Sequence, residues 1–200
     1  TVYYLEYNVT AAHPTSNKNL RKAIGAIFDP EEYVDKVVAI PGTLPGSTLM
    51  PAWIAGKKGL FREDYPVARP KPDLAAAKKY LAAAMAELNL KAPPSLVWLT
   101  GDSPHSAKEA EYFQNLLKSE LGIDLKIDKQ IFKQRLAKMT SGEFDIVSAG
   151  WGPDYNDPMT FADLKTSWNE NNRGIWKNPK YDELIRKAQS TTNAVVRMDA

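Results

Sequence analysis

The chain has 200 residues, 44% apolar and 25% charged, an ordinary globular balance that excludes a disordered, fibrous or coiled-coil protein. Its 26 basic and 24 acidic residues leave a formal charge of +2, too weak a field to gather nucleic acid or an anionic membrane. The absence of cysteine removes disulfides, zinc–thiolate sites and thiol nucleophiles together, and the apolar runs fall short of the roughly 18–20 residues that span a bilayer.

Length suggests one compact unit over residues 1–200, and Thr1-Val-Tyr-Tyr reads at once as a strand, so a soluble piece cut from a longer protein is expected. Tyr3 to Val9 alternates Tyr3, Leu5, Tyr7 and Val9 against Tyr4, Glu6 and Asn8, the period of a half-buried strand. Leu20, Ala23, Ile24 and Ile27 repeat at helical spacing, and Asp29-Pro30-Glu31-Glu32 starts a second helix with a carboxylate cap and proline at its first position. Residues 39–72 form a long Pro- and Gly-rich excursion with no sustained period, which either borders a binding pocket or wraps a core.

Asp73 opens the clearest helix, with Leu74, Ala77, Leu81, Ala84, Met85 and Leu88 on one stripe. Element types then alternate: a strand Ser95 to Leu99, a helix from Ser103-Pro104 with Ala107, Ala110, Phe113, Leu117 and Leu121 inward, and a strand Asp124 to Asp128. A helix with Phe132, Leu136 and Met139 follows and ends at Ser141-Gly142, then a strand Phe144 to Ala149. This βαβαβ order predicts an α/β fold with a mixed, mostly parallel sheet flanked by helices. A last helix is capped by Asn178 with Pro179 first and Tyr181, Leu184, Ile185 and Ala188 inward, and Thr191 to Ala200 begins another.

Open α/β sheets bind ligands beyond the carboxyl ends of their strands. Here those ends are Thr100-Gly101-Asp102-Ser103 and Gly150-Trp151-Gly152-Pro153-Asp154. The second carries Trp151, Asp154, Tyr155 and Asp157 with no Lys or Arg between Asp145 and Lys165, an acidic and aromatic loop suited to an ammonium group or a polar small molecule. Gly150 and Gly152 permit close approach of another backbone beside the large ring, and Trp151 itself reads as either a stacking plate or a core residue. Trp53, Trp168 and Trp176 fall in irregular segments and stay undivided between pocket and core.

Asp154 and Asp157 form a pair that could serve as acid and base, or hold a hard cation, in a small hydrolase helped by His105. Asp157 beside Pro158 also fits turn chemistry. No Gly-x-Ser-x-Gly elbow or phosphate loop is present, and two isolated histidines, His13 and His105, do not make a transition-metal site. No cofactor is implied.

Taken in order, Tyr3-Tyr-Leu-Glu-Tyr-Asn8, Asn19-Leu-Arg-Lys-Ala-Ile24, Ala26-Ile-Phe-Asp29 and Pro72-Asp-Leu-Ala-Ala-Ala-Lys78 open a series. It continues with Gly142-Glu-Phe-Asp-Ile146, Gly150-Trp151, Asp154-Tyr-Asn-Asp-Pro158, Asn171-Asn172 and Asn178-Pro-Lys-Tyr-Asp182. Over nearly all its length the chain resembles the C-terminal lobe of extracytoplasmic solute-binding proteins that serve oligopeptide and dipeptide ABC transporters. The resemblance implies a periplasmic-binding-protein-like (type II) lobe and a receptor rather than an enzyme, closing with a missing N-terminal lobe over an extended peptide. It implies a membrane permease as partner and a bacterial extracytoplasmic location, periplasmic or on the outer face of the cytoplasmic membrane, with a lipid anchor on the missing N-terminus as a further expectation.

By the same resemblance Asp154 pairs with the peptide's α-amino group, with Trp151, Tyr155, Gly150 and Gly152 around it. Ser148 stands where members favouring short peptides carry an arginine for the C-terminal carboxylate. Other branches of the family carry nickel complexes, haem, sugars or signalling peptides.

Overall fold

A computed structural model describes residues 1–200. The chain, read from its length as one unit, packs as two compact units. One comprises Leu5–Pro45 and Pro70–Ser148, and the other Thr1–Tyr4, Gly46–Arg69 and Ala149–Ala200.

The first unit holds the alternating segment. Its strands belong to a four-stranded sheet of order β1-β4-β2-β3, in which β1 is Val2–Tyr7, β2 Ser95–Thr100, β3 Asp124–Lys129 and β4 Ile146–Trp151. β2 runs parallel to β3 in the register Ser95↔Asp124 to Thr100↔Lys129, and parallel to β4 with Trp98↔Ile146 and Leu99↔Val147. Both crossovers are helical, α5 (Pro104–Leu121) after β2 and α6 (Phe132–Ser141) after β3. β2 is central, and its neighbouring residues Trp98 and Leu99, which point to opposite faces, are both fully buried, as expected of a parallel strand covered on both sides.

The core behind one face is built by α1 (Lys18–Ile27), α4 (Leu74–Glu87) and α5: Leu20, Ala23 and Ile24, then Ala77, Leu81 and Ala84, then Ala110, Phe113 and Leu117, closing on Leu96, Trp98, Leu125 and Ile146. Phe113 is its centre, with Trp98 stacked at 4.8 Å and Phe28 at 5.5 Å between centroids. Each such large side chain contributes about 1.5–3 kcal/mol by burial. Asn17 caps α1 by accepting from Leu20 N–H at 2.9 Å, while its amide and that of Asn19 donate to the two oxygens of Glu87, locking α1 to α4.

Several inward assignments need correction. β1 buries Glu6, and Asn8 just beyond it is buried too, while Tyr3 is 74% exposed; the aromatic residues are not uniformly on a hidden face. Asn8 is accepted inside because its amide donates to Gly142 O at 3.0 Å, its side-chain oxygen accepts from Thr10 and its carbonyl accepts from Thr15 Oγ1. Leu74 and Phe132 stand exposed in the first turns of α4 and α6, where the chain enters the helix before its apolar stripe meets the core.

Asp145, just before β4, is buried and bonds the sheet through its side chain. It accepts from Val97 N–H at 2.7 Å and meets His13 Nδ1 at 2.7 Å, while its own N–H donates to Val97 O. His13 is thus a partner of this buried carboxylate rather than a free loop residue.

The second unit is organised around Ile54, Phe161 and Leu164, with Val2, Leu49, Met50, Phe61 and Trp151 packed against them. The excursion over residues 39–72 therefore contributes core residues, of which Ile54 is fully buried. Its tip is a tight turn in which Asp64, at the end of α3 (Phe61–Asp64), accepts from Lys57 N–H at 2.7 Å and Lys58 N–H at 3.2 Å. Gly56 N–H donates to Gly59 O, and a Cβ on Gly56 would lie 2.7 Å from Phe61 N and 2.8 Å from Phe61 Cα, so only glycine fits there.

α7 (Met159–Ala162) and α8 (Pro179–Ser190) complete the unit, with α8 capped by Asn178 and opened by Pro179 as its sequence dictates. α9 (Ala194–Asp199) follows. No helix is long and apolar enough to cross a membrane.

Candidate functional site

β4 runs through Trp151, two residues further than its hydrophobic run suggests, so Gly150 and Trp151 belong to the strand and Gly152 begins the loop. The Tyr3 ring lies over Gly150, where a Cβ would sit 2.9 Å from Tyr3 Cδ1; the close neighbour that glycine admits is an aromatic ring, not a backbone. Gly152 has only Thr1 Oγ1 near it, at 3.8 Å.

Trp151 packs half-buried on the second core, and its indole N–H donates to Thr160 Oγ1 at 3.0 Å. The same buried hydroxyl accepts from the Asp154 backbone N–H at 3.4 Å, so one threonine of α7 pins both the strand end and the loop. Asn156 adds a third tie by accepting from Ala55 N–H at 3.1 Å.

The acidic residues of this loop are not equivalent. Asp157 Oδ1 accepts from Met159 N–H at 2.8 Å, opening α7, and both its oxygens face Arg197 of α9 at 2.7 Å in a bidentate pair. Burial pushes the Asp157 carboxyl upward, but the Arg197 bonds, the Met159 N–H and the guanidinium charge outweigh it and hold the group below the usual carboxylate range. The cation missing between Asp145 and Lys165 in sequence thus arrives from 40 residues away. Asp154 is different: exposed, with no ion pair and no hydrogen bond on its carboxylate.

Tyr155 beside it is 52% exposed. Burial, followed by the charges of Asp157, Asp163 and Asp154, pushes its phenol above the ordinary range, so it remains a neutral donor at physiological pH. The loop therefore offers one free carboxylate, an exposed phenol and a firmly seated indole. With Asp157 bound to Arg197, the carboxylate pair is not available as acid and base, and nowhere are three His, Asp or Glu side chains gathered to hold a metal ion. His105 stands exposed in the first turn of α5.

Ser148 belongs to the other unit, on β4, where its hydroxyl donates to Glu109 of α5 at 3.0 Å. Glu109 was missed in the sequence, although a signal was there: at positions i, i+4 and i+8 it shares a stripe with Phe113 and Leu117, so a carboxylate lies on the buried side of α5. Asp182 in α8 is a similar case, three residues before buried Ile185, and accepts from Ser167 N–H and Oγ.

The elsewhere unexplained Asn171-Asn172 pair builds a tight loop. Buried Asn172 donates to Thr166 O and Trp176 O and accepts from Trp176 N–H, holding Ile175 between them at φ 58°, a left-handed conformation rare for a β-branched residue. Trp168 is 42% exposed with the Arg186 guanidinium 4.5 Å from its ring centroid, and Trp53 is exposed as well.

In this helix-flanked, largely parallel sheet, β4 leads into a loop that presents one unpaired carboxylate among aromatic rings, an arrangement suited to binding. The chain belongs to the bacterial extracellular solute-binding proteins, family 5, and matches that family's middle region over residues 1–173. It is 29% identical to the oligopeptide-binding protein OppA of Bacillus subtilis, over 99% of this chain and 36% of that protein. It is 31% identical to the periplasmic murein peptide-binding protein MppA of Escherichia coli, again over 99% of this chain and 36% of that protein.

Among solved structures, a peptide-binding protein of a peptide ABC transporter superposes with a TM-score of 0.90 at 30% identity, covering 98% of this chain and 88% of that one. Listeria monocytogenes OppA bound to peptide superposes with a TM-score of 0.87 at 28% identity, covering 98% and 38%. The chain thus has the α/β fold of type II binding-protein lobes and spans about a third of the length of these curated relatives.

Proposed function

We propose that this chain is the C-terminal ligand-binding lobe of a peptide receptor that delivers its cargo to the permease of an ABC importer. The observation that carries the reading is the state of Asp154: an exposed carboxylate without an internal cation, on a loop pinned by Thr160, while its neighbour Asp157 is neutralised by Arg197. Such a group is suited to a cation brought by the ligand, and a peptide's α-amino group is that cation. Trp151 and Tyr155, with Gly150 and Gly152, form the wall beside it. The similarity to an oligopeptide-binding, a dipeptide-binding and a murein peptide-binding protein supports the ligand class. Hydrolysis is not supported, both because the family is one of solute-binding proteins and because Asp157 is committed to Arg197.

The receptor acts outside the cytoplasm, and a lipid attached to a part of it beyond these residues holds it at the membrane; fatty-acid labelling of the receptor in its own cells checks the attachment. Asp154→Asn tests the anchor. A charge-assisted bond in a closed cleft contributes about 1.5–3 kcal/mol, so peptides with free amino termini should lose about ten- to a hundredfold in affinity by calorimetry. N-acetylated peptides should change little. Equal loss for both removes Asp154 from the amine role.

A further inference from the structure

The exposed ring of Tyr155 stands among four charges. Burial raises its phenol first, Asp157, Asp163 and Asp154 raise it further, and Arg197 opposes them. Three carboxylates thus share the surroundings of the loop with one guanidinium. Asp163 takes neutral amide donors, Asn169 at 2.8 Å and Gln189 at 3.4 Å. Of the three, Asp157 is the one that meets the cation, through two bonds of 2.7 Å.

Arg197 reaches Asp157 from a helix without a core of its own. α9 buries no residue, and its Val195 and Val196 stand exposed. Polar bonds place it instead. Asn193 caps its first turn by accepting from Val195 and Val196 N–H at 3.0 and 3.1 Å. Asp199 accepts from Lys57 Nζ at 2.9 Å and from the Tyr65 hydroxyl, and Lys57 Nζ lies 5.0 Å from the Tyr65 ring centroid. Arg197 and Asp199, two residues apart, are turned about 200° from each other around the helix axis. α9 is therefore held by the excursion tip on one side and by the Asp157 loop on the other, which fixes the guanidinium against the loop.

A partly exposed ion pair is a modest brace. It is more effective as a source of field, because a charge fixed within several ångströms acts on every ion that enters the loop. We infer that Arg197 is a positioning residue that sets the charge specificity of the site through Asp157: it trims the field of the three carboxylates to suit a ligand with a single ammonium group at Asp154. Without it, a peptide whose first residue is Lys or Arg, with a second cation beside the α-amino group, gains over one with a neutral first side chain. This rests on the peptide reading and deepens it.

The test uses the full receptor that contains this chain and alanine peptides of two to six residues, each made with alanine or with lysine first. The quantity read by calorimetry is the ratio of lysine-first to alanine-first affinity. Arg197→Gln leaves Asp157 uncompensated and should raise that ratio about three- to tenfold, the scale of one added charge at partly screened range. Asp157→Asn leaves the guanidinium uncompensated and should lower it by a similar factor. The double variant restores the balance and should return the ratio to that of the unaltered receptor. Arg197→Lys keeps the charge without the two-pronged geometry and should hold the ratio near its original value. Asp157→Asn retains an acceptor for Met159 N–H, and keeps the test open should the Arg197 variants fail to fold.

A merely structural brace would weaken both peptide series in parallel and leave the ratio unmoved, and that result overturns the inference. So does a ratio that moves the same way in Arg197→Gln and Asp157→Asn. In either case, loss of free-amine binding in Asp154→Asn shows that the peptide reading stands. Absence of binding by every peptide overturns the peptide reading and this inference with it.

Discussion

The Asp157–Arg197 pair joins the loop of the candidate site to α9, and its contribution is open to a double-mutant cycle. The two guanidinium nitrogens lie 2.7 Å from the two carboxylate oxygens, and both side chains are about a quarter exposed, at 26% and 25%. Fully exposed pairs contribute about 0.2–1 kcal/mol and charge-assisted bonds up to about 3, so bidentate geometry with partial burial places the coupling at about 1–2 kcal/mol. Urea unfolding of the unaltered chain, Asp157→Asn, Arg197→Ala and the double variant at pH 7 measures it directly.

The pH dependence has a definite sign. Asp157 is depressed in the folded state relative to about 3.9 in an unfolded chain, so its contribution is fully present above the unfolded value and is lost as pH falls through the folded one. The coupling should be flat from pH 7 to about pH 5 and vanish under more acidic conditions. A coupling under about 0.3 kcal/mol at pH 7, or one that grows on acidification, refutes the assignment. Asp154→Asn is the internal control: without a partner in the chain, it should change stability by less than about 0.5 kcal/mol.

Gly56→Ala drives a methyl into Phe61 backbone and the Asp64 carboxylate, and should cost about 1–3 kcal/mol, read by thermal melting; a neutral result means the 54–64 turn is not as tightly closed as its contacts indicate. Ile175→Gly removes a β-branched residue from φ 58° and should stabilise by about 1 kcal/mol, whereas a loss shows that the half-exposed side chain has a packing role. Asp145→Ala strands the Val97 N–H and should cost about 2–4 kcal/mol by denaturant titration, an effect absent if water replaces the carboxylate. Tyr181, whose phenol is pushed up to about 12 by burial and then by Asp163 and Asp182, donates to Ala162 O at 2.6 Å. Tyr181→Phe should cost about 1 kcal/mol, and no change would mean that this bond adds nothing.

The local elements were legible because their causes are local. Asn17, Asp29, Asp73, Ser103, Asn178 and Asn193 each cap the helix they precede by accepting from its first N–H groups, and the β2-α5-β3-α6-β4 alternation is a pattern of short-range periods. The errors fell on faces and ends. Phe132 and Leu74 satisfy the period of an inner stripe yet lie in first turns that the core does not reach, and β4 extends to Trp151 although glycine weakens its last residues.

The sequence by itself determined the α/β order of elements, the strand end that leads into Asp154, and the absence of any thiol or phosphate-loop chemistry. It also set Asp157 beside Pro158, where turn chemistry fits, and Asp154 at the strand end. Only tertiary structure supplied the cation that divides them, because charge is neutralised through space: Arg197 of α9 pairs with Asp157 and leaves Asp154 free. The same reason hid the link from Ser148 through Glu109 to Tyr33, and that from Asp145 to His13 and Val97, since each joins residues far apart in the chain. A short-range pattern can fix where a helix starts, but which buried carboxylate meets which donor is settled only when distant segments fold against each other.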